Sequence, residues 1–285
     1  MFDIFNVIFM LLVMVVMFYP VWYVITASFT NSDMLISQTG VLLWPKGFTI
    51  NAYKLMMKNP MIIRGYLNSI FLVVSGVTLN IVFTSIGAYA LSRKNLFWKK
   101  YIMFFIIFTM YFSGGLIPTY LLVSKTLHMS NTYWALLLPT LISTYNLIIM
   151  RTSFAAIPES LIESASLDGA GHCRILAGIV LPLSMPVIAV MILYYAVGIW
   201  NAWFNASIYI KDRALFPLQL ILREILINND TSSMTAGSGD ASDLMSIGES
   251  VKYAVIVFAT VPILCVYPFL QKYFVKGIMI GSVKG

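Results

Sequence analysis

Six stretches of this chain carry no Asp, Glu, Lys or Arg: residues 4–32, 65–92, 101–124, 126–150, 175–210 and 253–271. A hydrocarbon core about 30 Å thick is crossed by about 20 helical residues rising 1.5 Å each, and every stretch approaches or exceeds that length. Of the 285 residues, 60% are hydrophobic and 10% charged, whereas a soluble domain has roughly 25% charged and 45–50% apolar residues. With 18 Lys and Arg and 11 Asp and Glu, the chain cannot cover the surface of a water-soluble fold this apolar. Disorder, collagen and nucleic-acid binding are excluded by the same numbers. The stretches are continuous and do not alternate with period two, which excludes a β-barrel. The sequence describes an all-α integral membrane protein.

Trimmed at their ends, the stretches predict six transmembrane helices at about 4–28, 69–92, 100–124, 133–153, 179–204 and 252–272. The first lacks the basic start and small-residue cleavage site of a signal peptide, and Tyr19-Pro20-Val21-Trp22-Tyr23 reads as an interfacial anchor. Six crossings put both termini on one side. Placing them inside gives each side nine of the 18 basic residues. Arg93, Lys94, Lys99 and Lys100 crowd one short loop, however, and that density favours a cytoplasmic loop and cytoplasmic termini. Cys173 and Cys265 stand far apart without metal-binding spacing, so neither a disulfide framework nor a zinc site is expected.

Between the spans, the outer segment 29–68 contains a turn-like Trp44-Pro45-Lys46-Gly47. In the extracytoplasmic loop 205–251, Leu218, Ile221, Leu222 and Ile225 share one helical face, with Gln219, Arg223 and Glu224 opposite. This predicts a short amphipathic helix over 217–227, lying on the membrane surface or against a partner. Residues 228–250 are rich in Ser, Thr, Asn, Asp and Gly and read as a loop, either a solvated connector or a contact surface. The inner segment 154–178 is too polar to enter the bilayer. Pro158 suits a first helical position, Glu159 a first turn, and Leu161, Ile162, Ala165 and Ser166 one face. Gly169 then permits a left-handed cap and a sharp break before a second short helix.

The search for chemistry is largely negative. There is no Gly-Lys dipeptide and hence no P-loop; His128 and His172 are isolated; and no zinc-protease, nucleophile-elbow or Ser-x-x-Lys motif occurs. No catalytic or metal-binding residue and no cofactor in this chain is expected. No charge falls inside a trimmed span away from its ends, which argues against a proton relay. Uncharged polar groups remain: Asn80, Thr84 and Ser85 in the second span, and Thr144, Tyr145 and Asn146 in the fourth. Ser113-Gly114-Gly115, followed by Pro118, should break the third. The fifth holds Tyr194-Tyr195 and leads into Trp200-Asn201-Ala202-Trp203-Phe204-Asn205. Rings beside amides suit a neutral hydroxylated solute, and they equally suit a membrane interface. Tyr145, Asn146, Tyr194, Trp200, Asn201, Trp203 and Asn205 are therefore candidate pathway residues, with both readings open.

Glu163-Ser164-Ala165, Asp168-Gly169-Ala170, Leu181-Pro182-Leu183 and Pro186 resemble the EAA signature of binding-protein-dependent ABC importer permeases, with Ser164 in place of the middle alanine. Phe274-Val275-Lys276-Gly277 and Gly281-Ser282-Val283-Lys284-Gly285 are similar to the tail of MalG-like carbohydrate permeases. Leu91-Ser92-Arg93-Lys94, Phe112 to Tyr120, Trp200 to Asn205 and Phe216 to Leu220 resemble the LplC/YtcP-type branch of that family. The resemblance covers nearly the whole chain.

That resemblance implies a type I ABC importer permease fold with six helices in a bacterial cell membrane, both termini cytoplasmic. It implies a heteromeric complex: a homologous MalF-like permease, two ATPase subunits holding ATP and Mg, and an extracytoplasmic solute-binding lipoprotein that delivers a carbohydrate. Residues 159–177 become the coupling element, with Glu159, Glu163, Ser164, Ala165, Asp168, Gly169 and Ala170 at the ATPase contact. In it Glu163 faces a basic partner, Ala165 and Ala170 allow close approach, Gly169 bends, and Asp168 caps the turn or the second helix. A secondary transporter of a neutral solute is the competing expectation, although internal repeats and intramembrane ionisable groups are not seen.

Overall fold

A computed structural model describes residues 2–228, 250–265 and 268. All regular elements among them are helical. In chain order they are α1 (Phe2–Ser28), α2 (Ser32–Ile36), α3 (Asn51–Lys58), α4 (Pro60–Ser92), α5 (Lys99–Tyr111), α6 (Leu116–Leu121), α7 (Trp134–Leu137) and α8 (Thr144–Ala155). There follow α9 (Glu159–Leu167), α10 (His172–Ile175), α11 (Leu181–Leu183), α12 (Met185–Trp200), α13 (Phe204–Tyr209), α14 (Leu218–Asn228) and α15 (Ser250–Cys265).

The stretches 4–28 and 69–92 lie within single helices, α1 and α4, which are long and apolar enough to cross a membrane unbroken. The next three expected spans are not straight. Lys99–Tyr111 and Leu116–Thr126 meet at 108°, Trp134–Thr140 and Thr144–Ala155 at 50°, and His172–Leu183 and Met185–Trp200 at 88°. Each break has a local cause. Gly115 adopts φ +85°, Ser143 is extended and caps α8, and Pro186 in the first turn of α12 supplies no backbone donor to the preceding turn. Of the sixth expected span, 252–272, the described part lies in α15; the remainder, the stretch 229–249 and the tail 269–285 lie outside the described residues.

The described residues divide into two compact units, one of 2–66, 216–228 and 250–264 and one built on 67–215. In the first, Ala27, Leu35 and Leu42 form a small buried cluster flanked by Tyr23 and Tyr253. Asn59 starts α4 by accepting a hydrogen bond from the Met61 amide at 2.8 Å, with Pro60 at the first position. Helix α14 departs from expectation. Leu218, Leu220, Ile221 and Ile225, its apolar side, are already buried within the chain. Gly65 makes room for it: a side chain there would meet the Leu218 Cα at 3.4 Å and press on Ile221.

The second unit is built on a core of Ala88, Tyr89 and Leu91 from α4, Leu147, Met150 and Phe154 from α8, and Ile188 and Met191 from α12. Small residues let these helices approach. A Cβ on Gly76 would lie 2.7 Å from Ile199 Cδ1, and one on Gly87 would lie 3.2 Å from Leu147 Cδ1.

Candidate functional site

Two regions of the second unit carry the residues of interest. The first is the segment 154–178. Pro158 stands one residue outside α9, as its N-cap, so Glu159 is the first helical residue. The far end closes as a Schellman motif: the Gly169 amide donates to Ser166 O at 3.1 Å, and the Ala170 amide to Ala165 O at 2.9 Å. Gly169 takes the required left-handed conformation at φ +79°. Asp168 occupies the C-cap position through its backbone, and the N-cap of α10 is Gly171, with no side-chain capping bond. Capping of the second helix by Asp168 is thus not what the geometry provides.

Helix α9 is two-faced. Ile162 is buried, and Ala165 and Ala170 pack with it against the core that Phe154 and Ile175 help form. Leu161 is exposed, and so are Glu163, Ser164, Leu167 and Asp168, with Leu167 88% accessible. Glu159 pairs with Lys94, and this carboxylate, with a smaller contribution from Glu163, raises the Lys94 pKa above the usual lysine value. Glu163 itself forms no ion pair with another described residue. Behind the segment, Arg93 stacks 4.9 Å from the Tyr89 ring and donates to Phe154 O at 3.3 Å, while Tyr89 Oη meets His172 Nδ1 at 3.2 Å. These bonds join the end of α4 to α8 and to α10. The segment therefore has one anchored face and one open face.

The second region is a cavity of about 400 Å³ bounded by α4, α7, α8, α12 and the start of α13. Of the seven candidate pathway residues, Asn146, Tyr194 and Asn205 line it. The other four do not. Tyr145 is exposed elsewhere on α8, Trp200 is buried, Asn201 donates to Val197 O at 2.9 Å to close α12, and Trp203 stacks edge-on against Phe204. The cavity adds Asn80, Thr140, Ser143 and Tyr195. Asn80 was visible in the sequence as a polar residue of a span, but nothing local signalled that it meets the break before α8. Its carboxamide, oriented to donate, reaches Leu141 O at 3.2 Å and Gly76 O at 3.0 Å. The Tyr195 hydroxyl bonds Thr84 Oγ1 at 2.8 Å and accepts from the Ser143 amide at 3.2 Å. Two neighbouring helices thus satisfy backbone groups that the break at 141–143 leaves without helical partners.

Long apolar helices, broken helix pairs and a polar cavity fit a membrane-embedded transport subunit. Comparison with known proteins makes this specific: the chain belongs to the family of binding-protein-dependent transport system inner membrane components, which matches residues 81–280. Protein LplC of Bacillus subtilis (strain 168) is 44% identical over 285 residues, spanning 100% of this chain and 95% of that protein. The polygalacturonan/rhamnogalacturonan transport system permease protein YtcP of the same organism is 42% identical, over 97% of this chain and 96% of its own. Among solved structures, a bacterial ABC transporter involved in the import of the acidic polysaccharide alginate superposes with a TM-score of 0.86 at 29% identity, covering 96% of both chains. The chain is a permease component of an ABC importer and not itself a catalyst.

Proposed function

We propose that this chain is one of two permease subunits of an ATP-driven importer of an oligosaccharide or polysaccharide fragment. It crosses the membrane six times with both termini cytoplasmic. A homologous MalF-like subunit forms the other half of the pathway. ATP and Mg bind to two ATPase subunits, and an extracytoplasmic lipoprotein delivers the carbohydrate. The names of the relatives, which include transport systems for polygalacturonan, arabinooligosaccharides and maltodextrin, support a carbohydrate as the solute.

The observation that carries the reading is the open face of α9. Its buried side, Ile162 and Ala165, fixes it to the core, and its outer side presents Glu163, Ser164, Leu167 and Asp168. That face offers an ATPase cleft an apolar knob, a small residue and two carboxylates. Closure of the ATPases would move α9, and through the Tyr89–His172 and Arg93–Phe154 bonds the ends of α4 and α8 that lead to the cavity. An exposed ion pair contributes only about 0–1 kcal/mol, so packing of Leu167 beside Ser164 carries most of the docking, while Ala165 and Ala170 face the core instead of the ATPase. The test is Glu163→Lys in the reconstituted importer. ATPase stimulation by loaded binding protein should collapse while membrane abundance stays normal; undiminished stimulation refutes the assignment of this face.

A further inference from the structure

Where α4 ends, three cations converge on three consecutive carbonyls. Arg151 Nε donates to Leu91 O at 3.4 Å, and Lys99 Nζ donates to Ser92 O at 3.4 Å and Arg93 O at 2.8 Å. Arg93 donates to the Ser92 hydroxyl at 2.9 Å and to Phe154 O at 3.3 Å. Helix capping accounts for part of this, since a last turn presents unpaired carbonyls and about half a negative charge. Three full positive charges exceed that half. None of the three pairs with a described carboxylate, and Glu159 is engaged by Lys94. The surplus registers at Lys99, where partial burial and then the charges of Arg151 and Arg93 push the pKa below the usual lysine value. Donors are left over as well. Lys99 uses two of its three N–H groups and Arg151 one of its five, so one and four remain without a described acceptor.

The rings beside the cluster say what carries the missing anion. Phe97 is 83% exposed and Trp98 64%, and Phe97, Trp98 and Tyr101 touch in series, with ring centres 6.0 and 5.7 Å apart. Exposed Phe104, Phe105 and Phe108 continue this surface along α5. Helix α4 is long and apolar enough to cross a membrane and ends at Ser92, which puts cations and rings together at a membrane surface, where rings meet acyl chains and cations meet headgroups. A phosphodiester offers one negative charge and unshared acceptor oxygens, complementing both the surplus charge and the spare donors. Free phosphate would match the donors and leave the rings uncovered, and a zwitterionic lipid brings a cation of its own. We infer that Arg93, Lys99 and Arg151 bind the phosphate of an anionic phospholipid whose acyl chains lie against the rings that begin α5. Arg93 also stacks on Tyr89, so the bound lipid steadies the corner from which the bonds to α8 and α10 run.

The test reconstitutes the assembled importer in nanodiscs of equal phosphatidylglycerol and phosphatidylcholine, and counts by native mass spectrometry the lipids it retains on release. Wild type should retain phosphatidylglycerol in preference to phosphatidylcholine. Lys99→Gln and Arg151→Gln should each lower that retention about 5-fold, the effect of one cation at an anionic surface. Phe97→Ala leaves every cation in place and should lower it too, whereas Lys54→Gln and Lys58→Gln, on α3, should not. Arg151→Gln reports on the site even if Lys99→Gln fails to assemble. Excess inorganic phosphate should leave the lipid bound; displacement by it would assign the cluster to a free anion and overturn the proposal. Equal retention of the two lipids by wild type, or retention that no assembled variant alters, overturns it as well. Variants that shed the ATPase subunits while keeping the lipid would show a protein contact in place of a lipid site.

Discussion

Replacing Gly169 separates backbone strain from every other effect at the lever. Its φ is +79°, and a Cβ added there would meet no atom within 4 Å. Side-chain collision therefore contributes nothing, and the penalty is the conformational cost of the left-handed region, about 1–2 kcal/mol for an ordinary L residue. Asn tolerates this region better, and β-branched residues tolerate it worst. Proline goes further, because it fixes φ near −65° and deletes the amide that donates to Ser166 O at 3.1 Å. A penalty of 1–2 kcal/mol lowers the ratio of bent to unbent lever by about 5- to 30-fold. The ATPase activity stimulated by loaded binding protein should therefore fall in the order Gly, Asn, Ala, Val, Pro. Basal ATPase activity and membrane abundance should stay unchanged, since the position is exposed and outside the core. The measurement is the stimulated rate of each variant in proteoliposomes at matched protein content. Equal stimulation in Gly169→Ala, Gly169→Val and wild type would refute the argument that the αL break transmits the stroke.

Two further substitutions examine how the cavity is held. Tyr195→Phe leaves the buried Thr84 hydroxyl and the Ser143 amide without their shared partner, at a cost of about 1–3 kcal/mol. The melting temperature of the purified complex should fall, and an unchanged value would mean the break at 141–143 is held by other contacts. Gly76→Leu forces a side chain into Ile199 and Leu137, and overpacking of this kind costs about 1–3 kcal/mol. Adding Ile199→Ala should recover part of the lost thermal stability, and a strictly additive double mutant would show that the two sites do not touch.

The bent helix pair at 158–175 was legible because its signals are local. Pro158, Glu159 and Gly169 act within one turn of themselves, and a pattern read along the chain recovers the helix to within a residue at its start. The side chain of Asp168 was misjudged because the turn is closed by backbone amides of Gly169 and Ala170, not by its carboxylate. The cavity was only half legible. Asn146 and Tyr194 stood out as a polar and an aromatic residue inside the fourth and fifth spans, and Asn205 as an amide just past the fifth; the structure brings these three to the cavity. Trp200 and Asn201 were grouped with them by adjacency in sequence, yet α12 ends at Trp200 and sends that ring into protein while Asn201 bonds back to Val197. The position of Asn80 depends on α4 passing the break before α8, a tertiary fact with no trace in its neighbours. Helix α14 failed for the opposite reason: its amphipathic stripe is real, but a stripe does not say what buries it, and Gly65 does.

Assembly supplies the last prediction, and it follows from the break between α5 and α6. Residues 111–122 are all exposed, and neither helix buries a residue within the chain. The amides of Ser113, Gly114 and Gly115 find no acceptor among the described residues. Within a bilayer such groups cost several kcal/mol each unless protein or a water-filled cavity covers them, and in the six-crossing arrangement this break falls between the ends of the third span. The described residues of this chain do not cover it, so a second permease subunit should. Gly114→Cys, with Cys173 and Cys265 changed to Ser, should cross-link to that second subunit in the assembled importer. Native mass measurement should give one copy of this chain beside one homologous permease and two ATPases. The chain expressed alone should be unstable, because the break is then left facing lipid. An active importer whose only membrane-spanning component is a homodimer of this chain, or a stable and active chain without any partner, would refute the argument.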